Sequence, residues 1–500
     1  MKRLFFPAAI AAMSCAVAGL ANDLESAAVT EAELRAHIAV LASDDYGGRF
    51  PGTPGETLAA QYIAQALSDA GFIGGADADG SWYQPVPLVE MVVGQSEARF
   101  SDTAGRAIIA PDVLLRAPSG SAQINGAQVI FVGYGVDSSG QVIADVAGKI
   151  ALVLGADRPG ENPLPAALRR EALIAKGAVA IITVSAPGAA SFRGFLRSYT
   201  NARMQLAGRV SRAQIEGVMA NESAQRLMQD SGLSLVDATS AAATNDYAGM
   251  TLSGKATLRA TTARRDFNSY NVVARLPGRR SGSGTVLVTG HWDHLGSTCR
   301  PATAADRICN GAVDNASGIA AMIEIARRVA SGTRLDRDVV FVATTAEEQG
   351  LLGAYHFASN PVVSLSSIVI ALNIDTVAVA PRGAAMAIVG RGATRLTAEV
   401  EAVAQAMNRA IDRDDDANAF LRRQDGWALS QAGVPAIMAG GGFSEATYLQ
   451  AFISGNYHTP ADEMTDAVQL GGAADDADLH IALIRHFAST TAHPRTNDQD

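Results

Sequence analysis

The chain has 500 residues, too many for one ordinary domain, so at least two are expected. Its 48% hydrophobic and 18% charged composition excludes wholesale disorder. The formal net charge of −10 gives no basis for nucleic-acid binding and favours solubility. Taken in chain order, the first element is a leader. Lys2 and Arg3 precede an apolar, Ala-rich run from Leu4 to Leu20, and Ala18, Gly19 and Ala21 offer a cleavage site. Residues 1–21 read as a secretory signal peptide, because the run is short and nothing behind it stops transfer. The rival readings are an uncleaved anchor and a lipoprotein signal ending at Cys15, whose lead Ala12-Met13-Ser14 departs from the usual pattern. Export to the periplasm or beyond, with no stable membrane insertion after cleavage, is therefore expected.

Residues 22–109 open the mature chain. Leu58 to Leu67 carries apolar positions at helical spacing, and the Gly- and Pro-dense stretch Gly47 to Glu56 is loop chemistry. Between 110 and 254 the texture changes to a small α/β module. Val129 to Gly135, Ile150 to Leu154 and Ala178 to Val184 are short apolar strands, with a helix at 166–176. From 255 to 490 a longer strand–helix alternation follows. Thr285–Thr289, Val339–Ala343 and Ile368–Leu372 are continuous apolar strands, as a buried parallel sheet requires. Ile319, Met322, Ile323, Ala326 and Val329 mark one helix face. Residues 491–500 read as a disordered tail. The fold class is α/β: a mixed, mostly parallel sheet flanked by helices, with a smaller inserted α/β domain.

With the leader removed, Cys299 and Cys309 are the remaining cysteines in an oxidising compartment. A disulfide closing this short loop is expected, and a pair of soft metal ligands is the rival reading.

The chemistry lies at the strand ends. The first strand of the last region ends in Gly290-His291-Trp292-Asp293-His294, and Gly311 to Gly318, containing Asp314, introduces the helix. The second strand ends in Thr344-Thr345-Ala346-Glu347-Glu348 and the third in Asn373-Ile374-Asp375; Asn456-Tyr457-His458-Thr459-Pro460 comes later. Ligands of open α/β sheets bind outside the carboxyl ends of the strands. Imidazole and carboxylate ligands suit catalytic zinc, and one carboxylate can bridge two ions. Adjacent Glu347 and Glu348 can divide the work, one holding metal and one moving protons. Taken singly, His291 reads as a satisfied strand-end histidine, Asp314 as a helix N-terminal carboxylate, the two glutamates as solvated charges and His458 as a turn residue. Asp375 resists such a reading, since an unpaired buried carboxylate is costly.

These motifs, with Thr345-Ala346-Glu347-Glu348-Gln349-Gly350 and Tyr457-His458-Thr459-Pro460-Ala461-Asp462-Glu463, resemble the co-catalytic zinc aminopeptidases that include secreted bacterial leucyl-type enzymes. The resemblance implies two zinc ions, one held by His291 and Asp375, the other by Glu348 and His458, with Asp314 between them. It implies Glu347 as general base, Asp293 as the group orienting His291, and Tyr457 near the developing oxyanion, although a packing tyrosine is an equal reading of Tyr457. It also implies a cis Asp314–Asn315 peptide and a pocket near Trp427 and Gly440 to Phe443. The insert resembles a protease-associated (PA) domain, with a purely structural role as the alternative. Arg423-Gln424-Asp425-Gly426-Trp427 departs from the family's Arg-Ser-Asp pattern, which leaves specificity open. The activity implied is removal of N-terminal residues from peptides with a free N-terminus. A carboxypeptidase or other amide hydrolase of the same fold, and an inactive binding protein, are the alternatives.

Overall fold

The computed structural model describes residues 27–159, 164–200, 203–299 and 305–495. The expected leader 1–21, with Cys15, lies outside them. Among the described residues, no helix is long and apolar enough to cross a membrane. The chain divides into two compact units, one running to Val86 and resuming at Asn268, the other Pro87–Phe267. The expected insert limits, 110 and 254, both fall inside the second unit. The flanks 87–109 and 255–267 go with it because they are long strand segments paired within it: Leu88 opposes Leu206, and Leu258 opposes Ile124.

In the first unit the sheet order is Ala387–Val389, Ala436–Gly440, Ile368–Asn373, Thr285–His291, Asp338–Thr344, then residues 272–276. The four strands from Ala436–Gly440 to Asp338–Thr344 run parallel, and both edges are antiparallel. The sheet is mixed, mostly parallel and open. The three expected strands are present and extend one or two residues further, and every residue of Thr285–His291 is buried. Such all-apolar runs exist because helices cover both faces. The helix Ser317–Ser331 buries all five expected face residues. The helix Glu31–Leu41 starts from a capping box in which Thr30 and Glu33 satisfy each other's backbone N–H groups. The stretch Gly47 to Glu56 is not loop throughout. The helix Pro54–Asp69 begins inside it, since proline at a first helical position loses no hydrogen bond.

The second unit has its own core around Phe131, Leu152, Ile182 and Ile215. Its strands Ser121–Phe131, Ile150–Leu154, Ala180–Val184 and Ile215–Met219 are parallel neighbours, and the helix Ala166–Ala175 lies where expected.

Of the expected disordered tail, 491–495 are described and make contacts: His493 bonds Glu399, and Arg495 donates to the carbonyls of Ser366 and Ser367. Cys299 and Cys309 lie at disulfide distance, with Cα atoms 6.4 Å apart, inside the roughly 4.4–6.8 Å that disulfides span. The bridge Gly296↔Cys309 closes the same loop.

Candidate functional site

Three parallel strands carry their C-terminal ends to one line. Thr285–His291 lies between Asp338–Thr344 and Ile368–Asn373, in a register that pairs His291 with Thr344 and Thr289 with Asn373. With neighbouring strands about 4.8 Å apart, the residues leaving those ends must converge. His291 therefore has the Glu347–Glu348 turn on one side and Asp375 on the other. Asp314 enters from the turn that starts the Ser317–Ser331 helix, where the Asp314–Asn315 peptide is cis. His458 arrives from the loop after the helix Ala446–Ser454.

All five expected ligands meet in one cleft of about 270 Å³. His291 Nε2 stands 3.1 Å from Asp314 Oδ1 and 3.4 Å from Asp375 Oδ1. His458 Nε2 stands 3.3 Å from Asp314 Oδ2 and 3.0 Å from Glu348 Oε2. The two oxygens of Asp314 thus face two separate histidine–carboxylate pairs.

The donor set fits divalent cations. His458 Nε2, Glu348 Oε1 and His294 Nδ1 are buried and make no hydrogen bond, although His294 Nδ1 lies 2.6 Å from Glu348 Oε1. Close N···O approaches without N–H···O directionality are what a cation between ligands produces. His291 Nδ1 lies 3.1 Å from the main-chain carbonyl of Asp293, so Nδ1 carries a proton there and Nε2 faces the carboxylates. Mixed nitrogen and carboxylate ligands favour zinc over the harder ions.

The electrostatics agree. Burial opposes ionisation of Asp314, yet His291 and His458 hold it well below the usual carboxylate range. Burial likewise opposes charge on His458, and Asp314 and Glu348 still raise it to about 10. Glu347 is pushed well above its ordinary value, by burial first, against His291, with Glu348, Asp375 and Asp425 adding to it. Burial raises Asp293 to about 8. So many buried carboxylates in one cleft call for positive charge.

One expected role changes. The Asp293 carboxylate does not hold the His291 imidazole: Oδ1 is 3.9 Å from Nδ1, and the residue's own carbonyl makes that bond. Asp293 Oδ1 instead accepts from the Glu347 N–H at 3.0 Å and so fixes the glutamate turn. Tyr457 stacks on His458, ring centroids 3.7 Å apart, and accepts a 3.0 Å hydrogen bond from Arg423 Nη2. Burial, then Asp314 and Glu348, raise its phenol above the ordinary value, so it stays protonated. Of the expected pocket, Phe443 lines the cleft together with Phe420, Leu449, Phe452 and Ile453, and Arg422 and Arg423 sit at its exposed rim. Trp427 does not line it; its ring lies under the Arg422 guanidinium at 5.2 Å.

Sequence reasoning missed the groups that hold the ligands. Asp462 accepts from the N–H groups of Val313 and Asp314 at 2.9 and 3.0 Å, tying the His458 loop to the Asp314 turn. Asn315 donates to the carbonyls of His291 and Ile374 and accepts from Gly318 and Thr376. Arg49 is fully buried and donates to the carbonyls of Leu41, Trp292, Asn310 and Gly311. His294 backs the far oxygen of Glu348. Its ring crowds Gly311, whose φ of +57° and lack of Cβ let the turn pass. The available signals were a second histidine in His-Trp-Asp-His and one arginine inside a Gly/Pro stretch.

Residues 271–483 match the model of peptidase family M28. The chain is 35% identical over 113 residues to a probable zinc metalloprotease of Pyrenophora teres f. teres, covering 22% of this chain and 23% of that protein. The match thus spans about a quarter of that relative's length. Among solved structures, the fold is similar to an aminopeptidase from Aneurinibacillus sp. strain AM-1, with a TM-score of 0.55, 18% identity, and 93% and 96% of the two chains covered. A zinc aminopeptidase from Bacillus subtilis aligns with a TM-score of 0.45 and 19% identity over 94% and 97% of the two chains. The stretch 271–483 that matches this family model supplies His291, Asp314, Glu347, Glu348, Asp375 and His458.

Proposed function

We propose that this chain is an exported zinc aminopeptidase that releases N-terminal residues from peptides. Two ions would be held, one by His291 and Asp375 and the other by Glu348 and His458, with Asp314 offering one oxygen toward each pair. The observation that carries this reading is the division of the Asp314 oxygens between two histidine–carboxylate pairs. Zinc in such a pair supplies Lewis acidity toward the scissile carbonyl and acidifies water near neutral pH. Glu347 accepts the proton of the attacking water on its carboxylate and returns it to the leaving amine nitrogen. Its raised pKa makes the protonated form a competent intermediate carrier. Tyr457 keeps its own proton because burial, Asp314 and Glu348 outweigh the opposing charge of Arg423; Arg423 positions its oxygen, and the phenol donates a hydrogen bond to the developing oxyanion. The apolar wall of Phe420, Phe443, Leu449, Phe452 and Ile453 receives an apolar side chain. The 87–267 unit contributes none of the five ligands, and we read it as a protease-associated insert.

One observation favours a second reading. Arg422 and Arg423 on the cleft rim suit a substrate carboxylate, which a carboxypeptidase or dipeptidase would engage. A single screen separates the two. Leucyl amide is expected to be hydrolysed and acetyl-leucyl amide refused, with all activity lost on chelation and restored by zinc. Equal hydrolysis of the acetylated substrate would overturn the aminopeptidase reading, and activity indifferent to chelator would overturn the metal.

Export carries its own expectation. The mature, unreduced protein should show no titratable thiol, because Cys299 and Cys309 lie at disulfide distance and would be joined in an oxidising compartment. Two free thiols would remove both the bridge and the support it lends to export.

A further inference from the structure

A second group of metal-binding side chains lies outside the catalytic cleft and shares no residue with it. Glu399 sits in the first turn of the helix Thr397–Ala406, His486 in the last turn of the helix Leu470–Phe487, and His493 in the segment that follows. His486 Nε2 is 2.6 Å and His493 Nδ1 2.8 Å from the same oxygen, Glu399 Oε1. All three ligand atoms fall within 4.8 Å of one another. We propose that Glu399, His486 and His493 bind one zinc ion, separate from the catalytic pair, that clips the C-terminal segment to the helix Thr397–Ala406.

Three features support a built site. The two imidazoles flank the buried ring of Phe487, each with centroids 5.0 Å away, so packing fixes both ring planes. The backbone between them is fixed as well: the buried guanidinium of Arg337 donates to the carbonyls of Phe487, Ser489 and His493. Ligands held in advance lose little freedom on binding. The three side chains keep 28%, 25% and 14% of their exposure, so an open side remains for a water as fourth ligand. Two imidazoles and one carboxylate select zinc over calcium or magnesium. With bonds of about 2.0–2.1 Å, tetrahedral ligands stand about 3.3 Å apart, so the donors separate by well under an ångström to admit the ion.

The alternative is a hydrogen-bonded clip in which two imidazoles donate to one oxygen. Zinc counting decides between them. The full chain, its Glu399→Gln variant and its His493→Gln variant are stripped with chelator, dialysed against zinc, desalted and analysed by elemental mass spectrometry. Each variant is expected to hold one zinc per chain fewer than the parent and to retain peptide hydrolysis. The rise in melting temperature that zinc confers on the parent should shrink in both. Equal zinc counts in the parent and a folded variant would overturn the site. His493, in the segment beyond the helix Leu470–Phe487, carries the test if Glu399→Gln fails to fold. Because the readout is a difference between otherwise identical chains, an error in the catalytic ligand set would change the totals and leave that difference intact.

Discussion

Glu347→Gln is expected to lower kcat by about 10²–10⁴-fold while zinc content stays at the parental level. The residue lines the cleft beside both histidine–carboxylate pairs, yet neither His291 nor His458 takes its carboxylate as a close partner. Its backbone is fixed by the Asp293 carboxylate, so the amide replaces the acid with little movement. What is lost is a group that can accept and return a proton. Steady-state kinetics together with elemental analysis make the check. Full turnover in the variant would remove Glu347 as the base. Loss of zinc along with turnover would move Glu347 into the ligand set.

Arg49→Met should destabilise the first unit by on the order of 3–5 kcal/mol, far more than loss of a surface pair. Burial pushes the Arg49 guanidinium down to about 10, so it stays charged at neutral pH. That charge sits among four backbone carbonyls from three separate segments, and the nearby carboxylates of Asp462, Asp293 and Asp314 favour it. Methionine fills much of the volume and leaves those carbonyls without donors. Two of them, Trp292 and Gly311, belong to the segments that carry His291 and Asp314, so zinc retention should fall with stability. Arg275→Met is the control. Arg275 bonds Asp338 at 2.7 Å but is half exposed, and its loss should cost less than about 1 kcal/mol. Urea unfolding and zinc retention after desalting measure both effects. Equal stabilities for the two variants would refute the clamp.

What could be read without the fold is local. A short, β-branched, continuous apolar run such as Ile368–Leu372 reads as a buried parallel strand because both faces of such a strand are covered by helices. Polar residues directly after such runs, as in Gly290-His291-Trp292-Asp293-His294 and Ala346-Glu347-Glu348, stand out for the same reason. Asp314, Asp375 and His458 were legible as parts of motifs that share a known pattern. The tertiary structure decided what those runs could not encode. Asp462 reaches Val313 across 149 positions, and Arg49 reaches Asn310 across 261. Asn315 joins two strand ends through its amide, and His294 turns out to back Glu348. Spacing along the chain carries no record of such partners, since any polar residue in a loop reads alike until the loop is folded. The same holds for Asp293, whose neighbour in sequence is His291 but whose carboxylate is taken by the Glu347 amide. Ligand types are a matter of residue chemistry and are written in the chain; which atom faces which is a matter of chain packing, and only the folded molecule sets it.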